Sequence, residues 1–259
     1  MATPAKLEIQ HISKHYDVEG RPPLQVLSDT SFSVEPGSFV SIVGPSGCGK
    51  STILRLIVGL DQDYHGDILL NGQRITGTSL SRGIVFQDHR LLPWLTLERN
   101  IDLALENSRW TAHQKAKAVR EHIELVGLSG FETAFPHQLS GGMAQRAAIA
   151  RGLVGQPEIL LLDEPLGALD ALTRVRLQEE LLRIWRAEGV TMILVTHDVD
   201  EAIYLSNRIL VMNANPGRIV REVDVNLSNR SDRASHEFTS IKREVLDAMG
   251  EYEKLREAA

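Results

Sequence analysis

Residues 44–52 read Gly44-Pro45-Ser46-Gly47-Cys48-Gly49-Lys50-Ser51-Thr52, a glycine-rich stretch that fits the Walker A pattern. The glycines allow backbone N–H groups to turn inward around phosphate oxygens, and Lys50 adds a positive charge for the β- and γ-phosphates. The hydroxyl of Ser51 is suitably placed to bind Mg²⁺. The stretch therefore predicts a loop that binds the phosphates of ATP together with Mg²⁺.

The residues on either side of the loop supply the setting that it needs. Ser38 to Val43 form a β-rich run, and the apolar residues from Lys50 to Leu60 recur at helical spacing. A helix that opens directly after the loop aims its positive N-terminal end at a bound anion. This strand–loop–helix order favours a phosphate site over a glycine-rich turn that binds nothing.

Strands alternate with helices along the rest of the chain, which predicts an α/β fold: a phosphate-loop NTPase core with a mostly parallel sheet. The patterns at 7–12 and 25–34 predict an antiparallel β element near the N-terminus. The stretch from about 95 to 140 has helical spacing and no strand pattern, so it predicts an inserted helical subdomain. The predicted domain spans 6–223. Residues 224–259 form a tail with an amphipathic helix, which packs either on its own domain or on a partner.

The composition is that of a soluble globular protein, with 42% hydrophobic and 24% charged residues. The net charge of −6, without a basic stripe, argues against nucleic acid as a partner. No apolar run approaches the roughly 18 residues needed to span a bilayer, and Met1 to Gln10 lack the pattern of a signal peptide. We therefore expect a cytosolic chain that reaches the cytoplasmic side of a membrane only through a partner. Cys48 is the one cysteine, and we interpret it as a small loop residue.

A second motif lies in the later half of the chain. It is an apolar strand that ends in two carboxylates, Ile159-Leu160-Leu161-Leu162-Asp163-Glu164. Asp163 would lie at the carboxyl end of this strand, where parallel sheets bind ligands, and it could hold Mg²⁺ directly or through water. Glu164 could then polarise the water that attacks the γ-phosphate. Together the two motifs predict ATP hydrolysis.

A third motif points to a family. It reads Leu139-Ser140-Gly141-Gly142-Met143-Ala144-Gln145-Arg146 and precedes a helical pattern. With this motif, the sequence resembles the ATPase subunits of ATP-binding cassette (ABC) transporters over roughly residues 6–223. Physically, the hydroxyl of Ser140 and the N–H groups that follow it can converge on an anion at the start of the helix.

The resemblance implies further site residues and the oligomer in which the chain acts. Tyr16 matches the aromatic that stacks on adenine, Gln87 the glutamine that reaches Mg²⁺ and the reacting water, and His197 the histidine that contacts the γ-phosphate. Judged without the family, this tyrosine and this histidine would more often be structural. Ser140–Gly142 match the signature that contacts ATP bound to the opposite subunit, and Leu169-Asp170 match the loop that crosses to it. The implied unit is a head-to-tail homodimer with two ATP molecules.

Three stretches, 88–96, 135–138 and 165–174, resemble the branch that imports nitrate, sulfonate and taurine. This resemblance implies transmembrane permease subunits and, indirectly, a solute-binding protein as partners. Leu91–Trp94 would lie near the permease or would anchor the subdomain core. The alternatives are an exporter or lipid-transport ATPase and a soluble ABC ATPase of DNA repair or translation. The interval between Lys50 and Ser140 is too short for the long coiled coil of the repair proteins, and the signature argues against a phosphate-loop kinase.

Overall fold

The computed structural model describes residues 5–20 and 22–257, with the side chains described up to residue 250. The chain forms two compact units. The first unit comprises Leu80–Val190, and the second combines Ala5–Ser79 with the chain from Thr191 onward. The last two residues of the predicted tail, 258–259, lie outside the described residues.

The strands are β1 (Leu7–Tyr16), β2 (Leu24–Val34), β3 (Phe39–Val43), β4 (His65–Leu70), β5 (Gln73–Arg74), β6 (Arg82–Val85), β7 (Ile159–Asp163), β8 (Thr191–Thr196), β9 (Arg208–Asn213) and β10 (Arg218–Asp224). The α-helices are α1 (Lys50–Val58), α2 (Leu97–Asp102), α3 (Ala112–Leu125), α4 (Gly141–Leu153), α5 (Ala171–Glu188), α6 (Val199–Leu205) and α7 (His236–Glu257). Short 3₁₀ helices lie at Leu103–Leu105 and Pro136–Gln138.

The second unit contains two groups of strands. Strands β2, β1, β4 and β5 lie side by side in this order and pair antiparallel. Strands β10, β9, β3 and β8 lie side by side, with β3 parallel to both of its neighbours and β10 antiparallel to β9. Every residue of β3 and β8 is buried, as expected for parallel strands that are covered on both faces.

The tail packs on the second unit. Phe238 and Val245 of α7 are buried in a cluster with Val199, Ala202 and Ile203 of α6 and with residues of β3, β9 and β10. The Lys242 ammonium lies 2.8 Å from a carboxylate oxygen of Asp200. Of the two interpretations of the tail, these contacts match a helix that packs on its own domain.

The first unit contains the parallel pair β6 and β7 and most of the long helices. Thr96 and Thr111 start α2 and α3, because each side chain accepts a backbone N–H three residues later. The described residues between Leu97 and Gln138 form helices and turns without a strand. The first unit covers Leu80–Val190, a longer range than the predicted subdomain at about 95–140. The boundaries of a helical subdomain therefore stay a prediction.

Candidate functional site

The phosphate loop of the second unit joins β3 to α1, and its glycines shape it. Gly47 and Gly49 have φ angles of +81° and +96°, in the left-handed region that residues with a Cβ rarely adopt. A Cβ on Gly49 would also lie 2.7 Å from Cδ2 of Leu27. Gly49 starts α1, and no described side chain caps this helix start. The partial positive charge of the helix end is therefore directed into the loop.

Lys50 lies inside the loop rather than in solvent. Its side chain is buried, and its ammonium donates hydrogen bonds to the carbonyl oxygens of Gly44 at 2.8 Å and Pro45 at 2.9 Å. These carbonyl groups hold the charge of Lys50 at the centre of the loop. An ammonium that is already positioned binds a phosphate without first having to be ordered.

The remaining loop residues divide into an exposed tip and a buried base. Ser46 and Gly47 are exposed, Pro45 and Ser51 are half-buried, and Cys48 is fully buried. Burial raises the pKa of the Cys48 thiol above its usual value, and the nearby charge of Lys50 only partly opposes the rise. This thiol is therefore protonated at neutral pH, which matches its interpretation as a small loop residue.

Gly217, in the turn between β9 and β10, supports the loop and was not predicted from the sequence. A Cβ at this position would lie only 2.1 Å from the carbonyl oxygen of Cys48. The N–H of Gly217 donates to the Val26 carbonyl at 2.9 Å, and its own carbonyl accepts the N–H of Ser28 at 3.0 Å. Pro216-Gly217 signals a turn in the sequence, but this dipeptide does not reveal what the turn touches.

Tyr16 and His197, both predicted from the resemblance, also belong to the second unit. Tyr16 is the last residue of β1, and its hydroxyl donates to a carboxylate oxygen of Asp61 at 3.1 Å. His197 directly follows β8 and is exposed. The next residue, Asp198, caps α6 by accepting the N–H of Glu201 at 3.0 Å. The position of His197 is thus fixed by a strand end on one side and a helix start on the other.

The predicted carboxylates lie at the end of β7 in the first unit. Asp163 is the last residue of the strand and is half-buried. Glu164 has a φ of +47°, a strained backbone conformation for a residue with a side chain. Its carboxylate oxygen Oε2 and the amide nitrogen of Gln87 both lie within 4 Å of the point where a Cβ on Gly167 would be. The structure therefore places the side chains of Gln87 and Glu164 next to the same residue, Gly167.

The loop that carries Gln87 is held by α4. The side-chain amide of Gln145, which is buried, donates to the carbonyl of Phe86 at 3.2 Å. The guanidinium of Arg151 donates to the carbonyl oxygens of His89 at 2.7 Å and Arg90 at 2.8 Å. The backbone is therefore fixed on both sides of Gln87. Gln145 belongs to the signature motif, but neither its role nor that of Arg151 was predicted, because their partners are backbone atoms that a motif does not reveal.

The signature forms the start of α4. The Ser140 hydroxyl oxygen accepts the N–H of Met143 at 3.3 Å, and Ser140 and Gly141 are exposed. A Cβ on Gly142 would lie 2.7 Å from Cγ2 of Thr173 on α5, so a larger residue at this position would have to displace that side chain. A cavity of about 280 Å³ lies beside this helix start, between α4 and α5.

Two other predicted stretches of this unit have structural roles. Asp170 starts α5 by accepting the N–H groups of Leu172 and Thr173, and the hydrogen bonds from Thr173 lower the pKa of the Asp170 carboxyl. In the stretch Leu91–Trp94, Leu91 is buried, whereas Trp94 is 70% exposed. This stretch is therefore buried at one end and presents an aromatic side chain to solvent at the other.

A family model described as ABC transporter matches residues 27–167. The aliphatic sulfonates import ATP-binding protein SsuB of Bacillus thuringiensis subsp. konkukian (strain 97-27) is 50% identical over 242 residues, which are 93% of this chain and 94% of that protein. The chain belongs to the ABC transporter family. It is an ATP-binding and ATP-hydrolysing subunit of an ABC importer, as the three motifs and the resemblance predicted.

Two further comparisons agree with this assignment to the ABC family. SsuB of Bacillus subtilis (strain 168) is 47% identical over 247 residues, which are 95% of this chain and 94% of that protein. A solved structure of the ATP-binding cassette MJ0796, a dimer in a post-hydrolysis state bound to ADP and Pi, matches with a TM-score of 0.74 and 31% identity. The match covers 85% of this chain and 99% of that chain, and it confirms the predicted α/β fold class.

Two findings complete the description of this ABC subunit. Tyr16, the phosphate loop and His197 lie in one unit, whereas Gln87, Asp163, Glu164 and Ser140–Gly142 lie in the other. Every helix in the described part of the chain is too short or too polar to span a membrane.

Proposed function

We propose that this importer subunit powers the uptake of aliphatic sulfonates or of a similar small oxyanion. The observation that carries the proposal is the 50% identity, over nearly the whole chain, to a protein named for aliphatic sulfonate import. The stretches 88–96, 135–138 and 165–174, which resemble the same branch, support it. The subunit supplies the energy, while a permease and a solute-binding protein choose the solute.

The residues of the second unit bind the nucleotide in this proposal. Tyr16 stacks on adenine, and the backbone N–H groups of residues 44–52 surround the α- and β-phosphates, except at Pro45, which has no N–H. Lys50, held by the carbonyls of Gly44 and Pro45, exchanges these partners for phosphate oxygens. His197 contacts the γ-phosphate.

Glu164 and Gln87 act on the water that attacks the γ-phosphorus. The carboxylate of Glu164 accepts a proton as the water oxygen bonds to phosphorus, and the bond from phosphorus to the β–γ bridging oxygen breaks. Gln87 orients this water, and α4 holds the backbone on both sides of Gln87 through Gln145 and Arg151. The proximity of both side chains to Gly167 supports this pairing.

The chain has the donors that Mg²⁺ prefers. These are the hydroxyl of Ser51, the carboxylate of Asp163 and the side-chain oxygen of Gln87, all hard oxygen ligands. When Mg²⁺ is bound, it offsets the negative charge that develops on the phosphate oxygens.

Two copies of the chain form a head-to-tail dimer with two ATP molecules at the interface. The signature of one subunit contacts the γ-phosphate held by the loop of the other. Because ATP then binds to both subunits, it favours the closed dimer, and hydrolysis removes this bridge. The exposed Ser140 and Gly141 and the dimeric MJ0796 cassette support this arrangement.

The dimer lies on the cytoplasmic side of the membrane and is attached to permease subunits. The exposed Trp94 provides an aromatic contact for the permease. The names of the relatives favour import over the exporter, lipid-transport and soluble alternatives.

Deleting the gene from its own genome tests the substrate. Cells without it should fail to grow with an aliphatic sulfonate as sole sulfur source and should grow normally on sulfate. The wild-type gene should restore growth, whereas Glu164→Gln, which binds ATP but does not turn it over, should not. Normal growth of the deletion strain on sulfonates would rule out the proposed substrate but not the ATPase.

A further inference from the structure

A buried lysine lies beneath the ring of Tyr16. Lys14 is only 3% exposed, and its ammonium lies 4.7 Å from the centroid of the Tyr16 ring. It donates hydrogen bonds to Oδ1 of Asp61 at 3.0 Å, to the carbonyl of Asp63 at 2.5 Å and to Oδ2 of Asp63 at 3.3 Å. None of the motifs assigned above uses this group. A buried charge is costly, so its position calls for an explanation.

The two side chains are linked both by the strand and by Asp61. Lys14 and Tyr16 are two residues apart on β1, so they point to the same face of the strand. Oδ1 of Asp61 accepts from Lys14, and Oδ2 accepts from the hydroxyl of Tyr16. The ring is thus held at its edge by a hydrogen bond and on one face by a cation.

The charges of this cluster persist at neutral pH. Burial alone would lower the pKa of the Lys14 ammonium, but its hydrogen bonds to Asp61 and Asp63 outweigh burial and raise the pKa above the usual 10.5. Burial would raise the pKa of the Asp61 carboxyl, but the hydrogen bonds from Lys14, the Asp63 N–H and Tyr16, together with the charge of Lys14, outweigh it and lower the pKa below its usual value. A permanent cation therefore occupies one face of the ring.

The consequence concerns how a base can stack. An aromatic ring offers two faces, and the ammonium already takes one of them by a cation–π contact. A base can then stack only on the opposite face, and it meets a ring whose orientation is already fixed. Fixing a binding group in advance removes part of the entropic cost of binding.

We propose that Lys14, together with Asp61, is a positioning residue for adenine recognition, which fixes the Tyr16 ring and leaves one face for the base. This rests on the proposed role of Tyr16. Asp61 and Asp63 follow the end of α1, the helix that begins in the phosphate loop. The same helix thereby connects the groups that recognise the phosphates to the groups that hold the ring.

Calorimetric titration of the full chain with ATP and with inorganic tripolyphosphate tests the proposal, because tripolyphosphate has no base. Lys14→Met should weaken ATP binding about 2- to 30-fold, the range of a cation–π contact, and leave tripolyphosphate binding unchanged. Lys6→Met is the matched control: Lys6 also forms an ion pair, with Glu8 at 3.2 Å, and should change neither affinity. Equal losses for both ligands, or no loss for ATP, would overturn the proposal.

Three further variants keep the test decisive. Tyr16→Ala should weaken ATP binding about 5- to 150-fold, and in that background Lys14→Met should add nothing. If Tyr16→Ala does not weaken ATP binding more than tripolyphosphate binding, the proposed role of Tyr16 is wrong. If Tyr16→Ala shows this effect but Lys14→Met does not, only the inference about Lys14 is wrong. Should Lys14→Met not fold, Asp61→Asn and Tyr16→Phe replace it. Each should weaken ATP but not tripolyphosphate, and equal or absent effects again count against the proposal.

Discussion

Helices α1 and α4 begin at the two motifs that we assign to phosphate binding, but they begin differently. Helix α1 starts at Gly49, with a φ of +96°, and the ammonium of Lys50 is enclosed by loop carbonyls. Helix α4 starts at Ser140, with a φ of −68°, and the serine hydroxyl binds its own helix. The first start is a cradle closed around the ammonium of Lys50, and the second is an exposed surface. We therefore propose that the loop holds ATP by itself, whereas the signature contacts ATP held by the other subunit.

Replacing the lysine of the cradle should have the largest effect. Lys50→Ala removes a charged donor from the phosphates, and we expect ATP turnover to fall about 10²–10³-fold, the usual loss for one such group. Lys117→Ala, which removes an exposed lysine paired with Glu121 on α3, is the control and should keep full turnover. Turnover by Lys50→Ala within a few-fold of wild type would refute the assignment of the loop.

Replacing a glycine at each helix start should distinguish the roles of the two starts. Gly49→Ala places a Cβ on a residue with a left-handed backbone conformation and against Leu27. We expect the unfolding free energy to fall by about 1–3 kcal/mol and ATP binding to be lost. At Gly141 a Cβ would meet only Leu169, at an ordinary 3.6 Å. Gly141→Ala should therefore keep its stability and ATP binding but lose turnover. Chemical denaturation measures the unfolding free energy, calorimetric titration the ATP binding, and a turnover assay the activity. Equal behaviour of the two variants in all three would remove the distinction.

The serine of the signature should show a smaller effect. Ser140→Ala removes a helix cap, so the unfolding free energy should fall by about 1 kcal/mol. Turnover should fall too, while the affinity of the isolated chain for ATP stays unchanged. Thr111→Ala removes the equivalent cap of α3 and is the matched control, with the same loss of stability but normal turnover. If both variants lost turnover equally, Ser140 would be a cap and nothing more.

The smallest effect should come from the cysteine of the loop. Cys48 is fully buried in the loop, and burial raises the pKa of its thiol, so the thiol is protonated and is not a nucleophile at neutral pH. Cys48→Ala should keep turnover within about twofold and cost on the order of 1 kcal/mol in stability. A thiol reagent should label the native chain much more slowly than the unfolded chain. Fast labelling of the native chain would contradict the buried position.

The sequence predicted the parts of this molecule whose chemistry is local. The phosphate loop, the apolar run of β7 and the start of α4 at Ser140 follow from residue types at fixed spacing, and each was predicted. The supports of these parts were not, because they join residues that are far apart in the chain. Gly217 approaches Cys48, Arg151 holds the backbone beside Gln87, and Asp61 holds Tyr16. Such contacts depend on how the folded chain brings distant residues together, which no motif encodes.

Mixing two inactive variants tests most directly whether the loop and the signature of different subunits form one site. Lys50→Ala inactivates the loop, and Ser140→Arg places a bulky side chain on the exposed signature. In a mixed dimer, one site combines the intact loop of one subunit with the intact signature of the other. We predict that ATP turnover of the mixture rises clearly above that of either variant alone. Turnover that stays at the level of the separate variants would contradict a site shared between subunits.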